Sequence, residues 1–151
     1  MKVSDILAVK GPVVVTVKAS DTIGTLSERL RERRIGAAVV SGDGQSVDGV
    51  ISERDIAYGL AVHVGDLRKL PVSALMTKTV ITCTPGDEVS DVASTMVARN
   101  IRHLPVVEEN RLVGMISIRD VLNFRVDDLQ RQTNMLRAFA SETDREPQDR
   151  E

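Results

Sequence analysis

Apolar residues along this chain gather into short continuous runs and into longer stretches where they recur three and four positions apart. VVVTV at 13–17, GAAVV at 36–40 and DGVIS at 48–52 have the length and β-branched content of strands covered by other elements. Between the first two, Ile23, Leu26 and Leu30 mark one face of a helix. The same succession returns as TVITC at 79–83, a helix carrying Val89, Val92 and Met96, then HLPVV at 103–107 and LVGMIS at 112–117. Each pair of later strands is joined by a turn, GDGQSVD or EENRL, and followed by a second helix. The unit is β-α-β-β-α, written twice.

The two copies align residue by residue. Asp21, Ile23, Leu26, Leu30 and Ile35 match Asp87, Val89, Val92, Met96 and Ile101, each pair 66 positions apart. Gly49, Ser52, Arg54 and Asp55 match Gly114, Ser117, Arg119 and Asp120 at an offset of 65, the difference being absorbed in the turns. A half of roughly 60 residues has little core of its own, so the halves are expected to dock. The fold class expected is α/β (α+β), tandem repeats packed pseudo-symmetrically with a C-terminal helical extension.

Local signals divide the chain further. Thr84-Pro85-Gly86-Asp87 predicts a helix start, with Thr84 as cap and Pro85 in the first helical position. HVGDLRKLPVS, from His63 to Ser73, lacks sustained periodicity and reads as a linker with His63 exposed. The expected boundaries are repeat 1 at 1–62, linker at 63–72, repeat 2 at 73–128, and a helical extension with a disordered tail at 129–151. In the extension Leu122, Val126, Leu129, Thr133, Leu136 and Ala140 alternate four and three apart, an apolar seam broken at Thr133. SETDREPQDRE closes the chain as a charged, frayed tail.

Composition narrows the function. With 42% hydrophobic and 28% charged residues the 151-residue chain is that of an ordinary globular protein, and no apolar run is long enough for a membrane span. MKVSDILAVKG lacks the apolar stretch of a secretory signal, so a cytoplasmic location is expected. A net charge of −2 and 2% aromatic residues argue against nucleic acid as a partner. ERLRERR at 28–34 is interrupted by acids and reads as a solvated helix face with Leu30 turned inward. Cys83, the single cysteine, lies in an apolar run and is expected to be a packing residue.

The chemistry lies in the repeated Ser-x-Arg-Asp. Ser at an N-cap with an acid three positions on is a capping box, which by itself accounts for Ser-x-x-Asp. Two copies, each with Arg before the Asp, suggest more. A helix N-terminus accepts a phosphate, Arg54 or Arg119 adds a charge-assisted fork, and the adjacent carboxylate can accept from the two hydroxyls of a ribose. No phosphate-binding loop with Gly-Lys-Ser/Thr is present, and Gly42-Asp43-Gly44-Gln45 fails the dinucleotide pattern at Val47. Glu108 and Glu109 sit in a turn without a nucleophile or metal-ligand set, so no catalytic residue, cofactor or metal site is assigned and an enzyme is not expected.

Helix, apolar strand, turn and Gly-apolar-apolar-Ser-x-x-Asp, occurring twice about 65 residues apart and with HLPVV and LVG in the second copy, resemble a pair of CBS domains, a Bateman module, from about Ser4 to Asn123. The resemblance implies clefts between repeats that bind AMP, ADP or ATP, less often NAD or S-adenosylmethionine. Asp55 and Asp120 would hold ribose hydroxyls, Ser52, Arg54, Ser117 and Arg119 would face phosphate, and Thr16 and Thr82 would lie near adenine. Arg102 and His103 match phosphate-contacting positions of the family, whereas repeat 1 has Gly36 and Ala37 there and Val39 in place of Pro105. The expected second site is therefore the better one, with Thr82, Arg102, His103, Met115, Ser117, Arg119 and Asp120. The first comprises Thr16, Gly36, Ala37, Val50, Ser52, Arg54 and Asp55. The resemblance further implies a homodimer and a regulatory signal to a separate protein target, the competing class being a ligand-independent scaffold with vestigial clefts.

Overall fold

The structure is a computed structural model that describes residues 1–144. Its elements are α1 (Val3–Lys10), β1 (Thr16–Val17), α2 (Ile23–Arg33), β2 (Ala37–Val40), β3 (Gly49–Ser52) and α3 (Glu53–Val62), then α4 (Val89–Arg99), β4 (His103–Glu108), β5 (Arg111–Ser117) and α5 (Ile118–Thr143). The first half forms a sheet in the order β1-β2-β3, with β1 parallel to β2 and β3 antiparallel to it. The second half keeps the antiparallel β4-β5 hairpin, its tight turn formed by Glu109 and Asn110, both at positive φ. Equivalent helices end alike, α2 at Arg34 and α4 at Asn100, each in the left-handed conformation.

The first strand of each repeat is much shorter than its apolar run. VVVTV contributes only Thr16 and Val17 to the sheet, and TVITC contributes one parallel bridge, Cys83 to Val106. Other apolar residues of the runs are covered mainly by packing, Val14 against Ala37, Val39 and Met115 between the halves and Ile81 on the second core, while Val13 is exposed. A continuous apolar run reports burial and does not by itself report a ladder.

The helix expected to open at Thr84 begins instead at Val89. The Asp87 carboxylate accepts from the Thr84 N–H at 2.8 Å and closes a turn, which removes Thr84 as a cap. Asp21 closes the same turn in the first half, accepting from the Lys18 N–H at 2.9 Å before α2. The repeated aspartates therefore shape the approach to each first helix.

Neither half completes its own core. Val72, fully buried among Ile23, Leu26 and Ile51, donates its N–H to the Asp21 carbonyl at 2.7 Å, and the Ile23 N–H donates to Leu70 at 2.9 Å. Reciprocally, Val3 of α1 is buried among Val89, Val92, Met96 and Ile116 and donates to the Asp87 carbonyl at 2.9 Å. The segment leading into each repeat docks on the other one. The expected linker is thus partly structural, with 3₁₀ turns at Leu67–Lys69 and Val72–Ala74 and with Leu67 and Val72 in the core, while His63 is exposed.

The repeated glycines make room for this exchange. A Cβ on Gly114 would stand 2.5 Å from the Leu7 side chain of α1, and one on Gly49 would stand 2.9 Å from the Thr77 carbonyl. α5 extends the second repeat in one unbroken helix of 26 residues. Val121 is buried, but Leu122, Val126, Leu129 and Leu136 are each more than half exposed. Of the expected tail, Ser141 to Thr143 belong to α5, and 145–151 lie outside the described residues. No helix among the described residues is long and apolar enough to cross a membrane.

Candidate functional site

Both Ser-x-x-Asp motifs form capping boxes. Ser52 caps α3, its N–H donating to Asp55 Oδ2 at 2.8 Å while the Asp55 N–H returns to Ser52 Oγ at 3.4 Å. Ser117 and Asp120 repeat this at α5, at 2.9 and 3.1 Å. Capping engages one oxygen of each carboxylate and turns both groups toward the ends of helices where positive partial charge collects. What surrounds them differs between the halves.

At the start of α3 a cavity of about 270 Å³ opens between the repeats. Ser52, Arg54, Asp55, Gly36 and Val50 of the first repeat form one side, and Thr79, Val80, Ile81, Arg102 and His103 of the second form the other. Gly36 permits the approach: a Cβ there would stand 3.4 Å from His103 Cε1 and 3.3 Å from Glu53 Oε1. Burial, together with the nearby Lys10 charge, holds His103 below its ordinary pKa against the pull of Glu53 and Asp120. The imidazole is therefore neutral near pH 7. Arg54 spans the cleft, its Nη1 donating to the Asn100 carbonyl at the end of α4 at 2.9 Å.

Arg102 and His103, grouped with Asp120 by sequence position, thus line one cavity with Asp55, while His103 also pairs in register with Ser117 ahead of Asp120. The reason is topological. His103, the first residue of β4, and Arg102 before it lie beside Gly36, so side chains there reach the helix start of the opposite repeat.

Asp120 is engaged by a residue that sequence reasoning did not single out. Lys10, at the end of α1, donates from Nζ to Asp120 Oδ2 at 2.8 Å and to the Met115 carbonyl at 2.7 Å. Burial works to raise the Asp120 carboxyl, but the Lys10 ammonium and the Ser117 hydrogen bonds outweigh it and leave it below the usual carboxylate range. Lys10 and Asp120 border a groove of about 230 Å³ between α1 and α5, floored by Ile6, Val9 and Phe124.

The other expected residues are dispersed. Met115 and Ala37 are buried where the halves meet, and Thr16 lies in β1 with its carbonyl accepting from Arg29. Arg119 lines a separate depression with Arg31, Arg34 and Glu53, and Thr82 is exposed. Thr79, Val80, Ile81 and Asn100 line the cavity but carry no motif; only their place ahead of or behind a repeated helix could have pointed to them.

Two docked β-α-β-β-α units with a cleft between them define a class, and comparison with known proteins gives its name. The CBS domain profile matches residues 3–62 and 72–127, and the chain belongs to that family as a CBS pair. It is 35% identical over 127 residues to a 17.7 kDa protein of Acidianus ambivalens, covering 83% of this chain and 74% of that one. An uncharacterised protein of Methanocaldococcus jannaschii is 33% identical over 115 residues, 76% of this chain, and the chain spans only 40% of its length.

Among solved structures, a CBS-domain protein of Agrobacterium tumefaciens is similar at 37% identity and TM-score 0.79, over 83% of this chain and 99% of that one. A Pyrobaculum aerophilum CBS protein solved in complex with AMP is similar at 35% identity and TM-score 0.70, over 80% and 89%. A CBS pair, protein MJ0100, solved with 5′-methylthioadenosine and S-adenosylmethionine matches at 27% identity and TM-score 0.74, over 85% and 98%.

Proposed function

We propose that this chain is a cytoplasmic regulatory module that binds an adenine nucleotide, AMP, ADP or ATP with NAD as a further candidate, in the cleft at the start of α3, and passes its occupancy to a separate protein. In this reading the free oxygen of Asp55 accepts from the ribose hydroxyls. The phosphate faces the N-terminus of α3 with Arg54 and Arg102 beside it, where unpaired N–H groups and guanidinium forks favour an anion. Val50, Val80 and Ile81 offer apolar surface to the base, and neutral His103 supplies a hydrogen bond without adding charge. No chemical step is assigned.

The observation that carries the reading is that one cavity joins Asp55 to Arg102 and His103 from the opposite repeat, in a fold whose Pyrobaculum relative was solved with AMP. Its volume is near the lower end of ordinary ligand pockets, roughly 300 to 1,000 Å³. Because its walls come from both repeats, a bound ligand favours one relative placement of the halves, which is how occupancy becomes a signal.

The scaffold reading keeps one observation in its favour, the exposed apolar face of α5. Calorimetric titration with AMP, ADP, ATP, NAD and S-adenosylmethionine separates the two. Asp55→Ala is expected to weaken binding ten-fold or more, since each charge-assisted bond to the ribose is worth roughly 1.5 to 3 kcal/mol before water compensates. If Asp55 serves only as a cap, the variant loses about 1 kcal/mol of stability and binds as the parent does.

A further inference from the structure

Lys10 breaks the symmetry of the two helix starts. Among the described residues Asp55 bonds only to Ser52, whereas Asp120 Oδ2 takes the Lys10 ammonium at 2.8 Å in addition to its Ser117 bonds. The contact is doubly fixed, because the same Nζ donates to the Met115 carbonyl at 2.7 Å on the strand leading into α5. It is also pre-positioned. α1 is anchored to the second repeat through Val3 and Ile6, and Lys10 is its last residue. The residue at the equivalent distance into the second leading segment is Thr79, 69 positions on, as Val72 is from Val3, and it carries no charge.

A lysine held this way places a charge-assisted donor on the Asp120 carboxylate, on the same oxygen that Ser117 engages, and fills the space before the helix start. A nucleotide seated against Asp120 has to displace this ammonium from the start of α5, and with it the bond to the Met115 carbonyl. Building on the nucleotide reading above, we propose that Lys10 sets the ligand stoichiometry: it stands as a tethered occupant at Asp120, so the chain takes one adenine nucleotide, beside Asp55, and refuses a second. The first leading segment thereby differs from the second in function as well as in sequence.

Calorimetric titration of the full chain with AMP tests this. The parent is expected to bind one AMP per chain, lost in Asp55→Ala. Lys10→Met, which keeps the aliphatic stem and removes the donors, is expected to bind two. Lys10→Met with Asp55→Ala should keep one site, and adding Asp120→Ala should abolish it. Lys10→Gln serves as a second variant, with melting curves confirming that each folds. Two sites in the parent, or a single unchanged site in Lys10→Met, overturns the role of Lys10 while leaving the nucleotide reading intact. Weaker binding in Lys10→Met also overturns it, because Lys10 would then be a phosphate ligand. AMP bound by none of the proteins overturns the nucleotide reading and this inference together.

Discussion

Two aspartates in matching capping boxes have unequal surroundings, and the difference is electrostatic. Asp55 faces a cavity and Asp120 faces an ammonium. Asp120→Ala is therefore expected to change AMP affinity less than two-fold in the parent, the reverse of what Arg102 and His103 suggest when they are assigned to its cleft by sequence position. His103 gives a second expectation. Its folded-state pKa lies below the ordinary value because burial disfavours the imidazolium, so between about pH 6.5 and that lowered value the unfolded chain binds more protons. Stability is lost as pH falls through this window. Asp120 acts in a lower window, as its depressed carboxyl pKa confers stability that persists until pH drops below the ordinary carboxylate range. Melting at about pH 7.5 and about pH 5.5 should show a smaller loss in His103→Gln than in the parent; equal losses would show that His103 does not titrate with folding.

Gly49 and Gly114 are explained by what lies against them. Gly114→Ala drives a methyl group into Leu7 and is expected to cost about 1 to 3 kcal/mol, measured by denaturant unfolding. Adding Leu7→Ala should recover part of that loss, and a strictly additive double variant would show that α1 does not pack there. Gly49→Ala meets the Thr77 carbonyl, a backbone atom that no side-chain change removes. These exchanged segments also show what the sequence could convey. The helices inside each repeat and the later strands were readable from Ile23 to Leu30, Val89 to Met96 and the paired Gly-x-x-Ser-x-x-Asp, because amphipathic spacing and capping are local, whereas α1 was not expected. VVVTV and TVITC overstated their strands because burial between the halves produces the same apolar run as a ladder. Val3, Val72 and Lys10 went unread because their partners lie in the other repeat, at distances along the chain that no periodicity spans.

The halves are one folding unit, since each lends the other a buried valine, and this unit leaves α5 with an apolar face uncovered by the described residues. A homodimer joined through α5 is expected, with light scattering giving twice the 16.5 kDa chain mass and Leu129→Glu shifting the mass toward that of the monomer. A monomer mass for the parent at tens of micromolar would remove this expectation. The nucleotide cleft is tested most directly by crystals of the full chain grown with AMP. The account predicts a nucleotide in the α3 cleft, with its ribose hydroxyls within hydrogen-bond distance of Asp55, its phosphate beside Arg102, and Lys10 still on Asp120. AMP seated at Asp120 with Lys10 displaced, or an empty α3 cleft at saturating AMP, would contradict it.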